Sequence, residues 1–267
     1  MVRQPVAAGS FYPADRVDLR NAVTELLERR DIKRRAISVI APHAGYFYSG
    51  RVAGKVFSFV EIPETVILLG PNHTGMGDNA AVSARGSWAT PLGEVPVDEE
   101  LAKVIIDADP LFTRDDLAHQ REHSIEVMLP FLQTLQHNLK VVPIALSIRE
   151  PSKIEKAGRI IAEAIKTRAN PVLIVVSSDM SHYLPHEEAV ARDALAIEQL
   201  EKLDPEGLLT VVAREGITMC GVIPAAVMLH AARWLGVRVA ERIAYETSGK
   251  SSGDFTSVVG YAGIVFN

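Results

Sequence analysis

Short continuous apolar runs alternate along this chain with longer stretches whose apolar residues recur at helical spacing. The runs at 37–41, 65–70, 140–147 and 172–177 read as buried strands, because a strand covered on both faces has no polar side to show. Residues 17–30 read as an amphipathic helix with Leu19, Val23, Leu26 and Leu27 on one face. Further helices are predicted near 50–59, at 98–107, near 123–136, at 151–168, and near 187–201, 204–214 and 222–235. Asp98-Glu99-Glu100 suits the positive end of a helix dipole, and Pro151 suits a first helical turn. Residues 80–97, with Trp88 and the turn Pro91-Leu92-Gly93, read as locally β, and strands at 237–245 and 257–266 close the chain.

Strand and helix alternating in this way predict an α/β fold, with a largely parallel or mixed central sheet flanked by helices. No internal repeat, low-complexity tract or linker interrupts the pattern, so the expectation is a single domain over 1–267. The composition, 48% hydrophobic and 23% charged, supports a sizeable core. A net charge of −5 argues against nucleic-acid or anionic-membrane partners, which select basic surfaces. No apolar run approaches the roughly 20 residues that span a bilayer, and Met1-Val2-Arg3-Gln4-Pro5 has no signal-peptide character. A cytoplasmic protein is expected.

The chemistry concentrates where the apolar runs stop. His43 follows one run in Ala41-Pro42-His43-Ala44-Gly45-Tyr46, and His73 follows another in Gly70-Pro71-Asn72-His73. His182 follows a third in Ser177-Ser178-Asp179-Met180-Ser181-His182. Ligands of open α/β sheets collect beyond the carboxyl ends of the strands, and imidazole is the commonest metal ligand. Each histidine alone could merely satisfy loop backbone; three together point to one polar site, a metal site. Asn72 and Tyr46 could supply hydrogen bonds that orient the rings. Asp179 could raise the basicity of His182 for general-base work, or cap a turn. Tyr48 and Arg51 could hold an anionic group.

Other motifs carry less. His119-Gln120-Arg121-Glu122-His123 matches a short zinc-protease pattern, but Ser124 onward reads as a helix beginning, so the pattern straddles a loop. His123 remains a candidate site-facing acid or hydrogen-bond donor. Ser248-Gly249-Lys250-Ser251 fails as a phosphate loop, because Ala244 stands where the first glycine belongs. Cys220, the one cysteine, excludes an intrachain disulfide. It precedes a glycine turn into a helix, where a thiol is either activated or simply buried.

Taken together, Gly9-Ser10-Phe11-Tyr12-Pro13, Ala41-Pro42-His43-Ala44-Gly45-Tyr46, Gly70-Pro71-Asn72-His73, Glu122-His123-Ser124-Ile125-Glu126, Ser177-Ser178-Asp179-Met180-Ser181-His182 and Met219-Cys220-Gly221 resemble, in order, the signature blocks of the Memo family. Its prokaryotic members are protein B of the AmmeMemoRadiSam system. The resemblance implies a fold similar to class III extradiol dioxygenases, which are non-haem iron enzymes. It implies His43, His73 and Cys220 as metal ligands, with Cys220 in place of the dioxygenase carboxylate. It further implies His182 and His123 as catalytic histidines, Asp179 supporting the first. The dioxygenase site suits Fe(II), while a thiolate shifts preference toward softer metals such as Cu(I), or toward zinc; Fe(II) or copper is expected, with zinc as a third choice. The function implied is a metal-dependent redox protein acting on a small-molecule substrate. The alternative is a non-catalytic module binding a small molecule or peptide in the same cleft, as a eukaryotic member is described to bind phosphotyrosine peptides.

Overall fold

The computed structural model describes residues 1–30 and 32–267. Its main sheet has the order Ala240–Thr247, Val258–Phe266, Ser38–Ala41, Val172–Ser177, Thr65–Pro71, Lys140–Leu146, Ala80–Val82, Thr113–Arg114. The short strand His182–Leu184 pairs with the beginning of Val258–Phe266. The four strands in the middle run parallel, and antiparallel pairs flank them on both sides. The sheet is therefore mixed with a parallel centre, as the sequence pattern predicts. A separate three-stranded sheet joins Val2–Arg3, Ser87–Thr90 and Gly93–Pro96. It takes up Ser87–Thr90 and Gly93–Pro96 of the segment that reads as locally β, whose first strand, Ala80–Val82, joins the main sheet.

Strands Ser38–Ala41, Thr65–Pro71 and Val172–Ser177 are buried along their whole length. Alternation of side chains shows what covers each face. The Ser38 hydroxyl meets Met228 on helix Val222–Leu235, and Ile40, two residues on, shares that face and pairs with Ile264. Gly263, next along its strand, looks the other way, toward Val52 and Val56 on helix Tyr46–Phe59. Helices thus cover both faces, and helix Pro151–Lys166 packs outside Val222–Leu235. One contiguous apolar cluster runs through these layers.

Two helices depart from the pattern. Residues 17–30 give only Arg16–Leu26, started by the Asp15 carboxylate accepting from the Val17 and Asp18 N–H groups and ended where Leu27 turns extended. The helix expected near 123–136 is a 3₁₀ turn, Glu126–Met128, followed by Leu129–Leu135. Pro130 suits the first turn of that helix rather than its interior. The residues before it are held at the carboxyl end of the sheet by side chains that the next section describes. No helix among the described residues is long and apolar enough to cross a membrane.

Candidate metal centre

The sheet order places strand Val172–Ser177 between Ser38–Ala41 and Thr65–Pro71, all parallel, so the loops after them open side by side. Segment 119–128 crosses over this end. Gly70 permits the crossing: a Cβ there would meet Ile125 Cγ1 at 2.6 Å and Ser124 Oγ at 2.7 Å. The result brings His43, His73 and His123 together, each with one ring nitrogen within 4.8 Å of the others. The rings of His73 and His123 stack at 5.0 Å, and His43 stands edge-on to both, at 5.3 and 5.5 Å. Phe11, from the N-terminal segment, packs on His123 at 4.5 Å.

Hydrogen bonds fix which nitrogen of two of these rings, His43 and His73, is bare. The Ser177 hydroxyl donates to the Ser124 carbonyl at 2.7 Å. Its oxygen can then only accept from His43 Nδ1–H, 2.6 Å away, which leaves His43 Nε2 with a free lone pair. Burial, reinforced by the charges of His73 and His123, pushes the His43 imidazolium far below its ordinary range, so the ring is neutral. His73 is fixed in the same sense. Its Nδ1–H donates to Glu122 Oε1 at 2.9 Å and its backbone N–H to Oε2 at 2.6 Å. Burial alone would raise the Glu122 carboxyl. The hydrogen bonds from the His73 ring and from the Ser124 and His73 N–H groups outweigh it and hold Glu122 at about 2. A buried carboxylate behind one imidazole and a hydroxyl behind the other is how proteins orient histidines toward a cation. Burial lowers His123 as well.

Cys220 Sγ lies 3.4 Å from His43 Nε2. Asp179 ties the two together: its Oδ1 accepts from the His43 and Ala44 N–H groups at 2.8 and 3.3 Å, and its own N–H donates to Cys220 Sγ at 3.2 Å. Burial, then the charge of Asp179, pushes the thiol up, and burial raises Asp179 too. The resemblance casts Asp179 as support for His182, but its hydrogen bonds run to the His43 loop and Cys220. His182 is locked by Thr218 instead. Its N–H donates to Thr218 Oγ1 at 2.8 Å, and Nδ1 sits 3.1 Å from the Thr218 carbonyl. A carbonyl only accepts, so Nδ1 carries hydrogen and Nε2 is the reactive nitrogen.

His119 stands apart. It is 1% exposed, with Nε2 on the Ala81 carbonyl at 3.1 Å and its ring edge-on to Trp88. Its 3₁₀ turn ends before Glu122, so the two histidines of the zinc-protease pattern do not share a helix face. Tyr48 and Arg51 are exposed on helix Tyr46–Phe59. What the residues alone did not reveal is that His123 joins His43 and His73; it follows no strand, and only its neighbour Glu122, buried against His73, marks the spot.

Fold and site together define an α/β protein with an imidazole-lined centre, able to hold a metal ion, beyond the carboxyl ends of parallel strands. The model of the Memo-like protein family matches residues 3–265, and the chain belongs to that family. Among relatives, MEMO1 family proteins of Aquifex aeolicus and Methanopyrus kandleri are 43% and 39% identical, covering 99% and 100% of this chain and 99% of each of theirs. One from Sulfolobus acidocaldarius is 38% identical with the same near-complete coverage. A solved structure of an uncharacterized protein from Escherichia coli K12 shares the fold. Its TM-score is 0.58 at 16% identity, over 85% of this chain and 99% of that one.

Proposed function

We propose that this chain is a cytoplasmic, metal-dependent redox protein whose whole length, 1–267, acts as one domain, with His43, His73 and Cys220 holding the ion and His123 closing the set. The observation that carries the reading is the convergence from separate loops of three imidazoles, two of them oriented, with Cys220 Sγ beside one of these, His43. Metal–nitrogen and metal–sulfur bonds of about 2.1 and 2.3 Å in tetrahedral array put ligand atoms about 3.3–3.6 Å apart. The 3.4 Å between His43 Nε2 and Cys220 Sγ fits that spacing, and the three imidazole nitrogens need close by only about an ångström. A donor set of imidazoles and one thiolate suits iron, copper or zinc, and the first two supply one-electron chemistry when bound.

The protein's own part is to orient and to move protons. Ser177 and Glu122 keep the ligating nitrogens bare. Asp179 N–H stabilises the thiolate that ligation requires. His182 Nε2 accepts a proton from a small-molecule substrate lying over the centre. The test is metal analysis of untagged protein. About one ion of iron, copper or zinc per chain is expected in the wild type, with less retained in Cys220→Ser and none in His43→Ala. Equally negligible metal in wild type and Cys220→Ser overturns the reading. Oxygen uptake with Fe(II) and a catechol, abolished in His182→Ala, separates an enzyme from a module that only binds.

A further inference from the structure

The three imidazoles of the centre are not held alike. His43 is fixed by Ser177 and His73 by Glu122. Among the described residues no hydrogen bond reaches the His123 ring. Its Nδ1 stands 3.6 Å from Glu122 Oε1, outside hydrogen-bond range, and that oxygen already accepts from His73 and the Ser124 N–H. What packs on the His123 ring is two other rings: His73 at 5.0 Å and 18°, and Phe11 at 4.5 Å and 36°.

Phe11 is itself firmly placed, although it is only half-buried. Its N–H donates to the Ala7 carbonyl and its carbonyl accepts from the Tyr46 N–H, both at 2.8 Å. Gly9, at φ +84°, makes the turn that brings its N–H to the Tyr12 carbonyl at 2.7 Å. Glu126, on the same segment as His123, accepts from the Val6 and Ala7 N–H groups and the Tyr12 hydroxyl. The strap that carries Phe11 is therefore clasped to the segment that carries His123.

We propose that Phe11 is a positioning residue of the metal centre: its ring, presented by the N-terminal strap, sets the direction of the His123 imidazole. The inference rests on the place given above to His123 in the ligand set. Packing does here what Ser177 and Glu122 do by hydrogen bonds for the other two rings. Stacking fixes the plane of a ring without occupying either nitrogen, so His123 joins the set with both unblocked.

Acylation by diethyl pyrocarbonate, followed site by site by mass spectrometry on metal-free protein, reads the freedom of the His123 ring without any ion. In Phe11→Ala, His123 is expected to react about three- to ten-fold faster, the range of one lost aromatic contact. His73, tied to Glu122, and buried His119 should stay within about twofold, whereas a purely structural role for Phe11 would speed all three. Phe11→Tyr, which keeps the ring, should react as the wild type does; Phe11→Leu, bulky but without a flat face, should follow Phe11→Ala. In zinc titration against a competing chelator, Phe11→Ala should bind about three- to ten-fold more weakly. The same change made in His123→Ala should shift affinity by less than about twofold, because Phe11 acts through that ring. Unchanged His123 reactivity in Phe11→Ala or Phe11→Leu, equal acceleration at His119, or a zinc effect undiminished in His123→Ala overturns the proposal. Zinc affinity unchanged in His123→Ala overturns the place of His123 in the ligand set; the acylation arm then decides whether Phe11 positions the ring.

Discussion

Ser177→Ala tests how the centre is pre-set. The hydroxyl is the acceptor of His43 Nδ1–H at 2.6 Å and the donor to the Ser124 carbonyl at 2.7 Å, in a place with no access to water. Removing it gives His43 two ways to respond. If Nδ1 keeps its hydrogen, a buried donor goes unpaired, at a cost of about 1–3 kcal/mol. If the hydrogen moves to Nε2, it can point at Cys220 Sγ, and folding stability is largely spared. The ligating lone pair is then blocked, and metal affinity falls about 10- to 100-fold, or about 1.4–2.7 kcal/mol. Urea unfolding of the metal-free protein reads the first response, and zinc titration against a competing chelator reads the second. Since the bare nitrogen depends on the hydroxyl in either case, at least one must appear. Wild-type stability together with wild-type zinc affinity in Ser177→Ala would refute the reasoning.

Other expectations follow from single contacts. A Cβ on Gly221 would stand 2.4 Å from Ser178 Cβ and 2.6 Å from the Ser177 carbonyl, so Gly221→Ala should cost about 1–3 kcal/mol in urea unfolding and displace Cys220, lowering zinc affinity. Fully buried Glu126 accepts from the Val6 and Ala7 N–H groups and the Tyr12 hydroxyl and pairs with Arg3; Glu126→Ala should cost about 3–5 kcal/mol and speed proteolysis within residues 1–13. Burial lowers His119 to about 4, so below its ordinary 6.5 the unfolded chain binds the proton more readily. Its contribution is complete above pH 6.5 and is lost as pH falls toward 4, by about 3 kcal/mol; His119→Gln should flatten stability over that window, and an unchanged slope would contradict this.

The layered fold was legible because its central strands are buried on both faces. Val172–Ser177 could be bounded to the residue from its apolar run, as could helix Val222–Leu235. The strand-end rule singled out His43, His73 and His182, since it needs only the run and the turn after it; the first two meet in the imidazole cluster, and His182 is not among its three rings. His123 was harder. It belongs to a segment shaped by tertiary contacts, Glu122 on His73 and Ser124 under Pro71, rather than by local periodicity, which suggested a longer helix than the chain forms. Strands Val2–Arg3, Thr113–Arg114 and His182–Leu184 are too short to leave any periodic trace. The place of Cys220 beside His43 followed from the family resemblance, not from spacing.

The central claim is that one ion is shared among these loops, and an anomalous-scattering map of crystals grown without chelator tests it most directly. The account predicts a single strong peak within about 2.5 Å of His43 Nε2, a His73 ring nitrogen and Cys220 Sγ. A metal-replete crystal with no peak there, or with one that leaves His43 unligated, would contradict it.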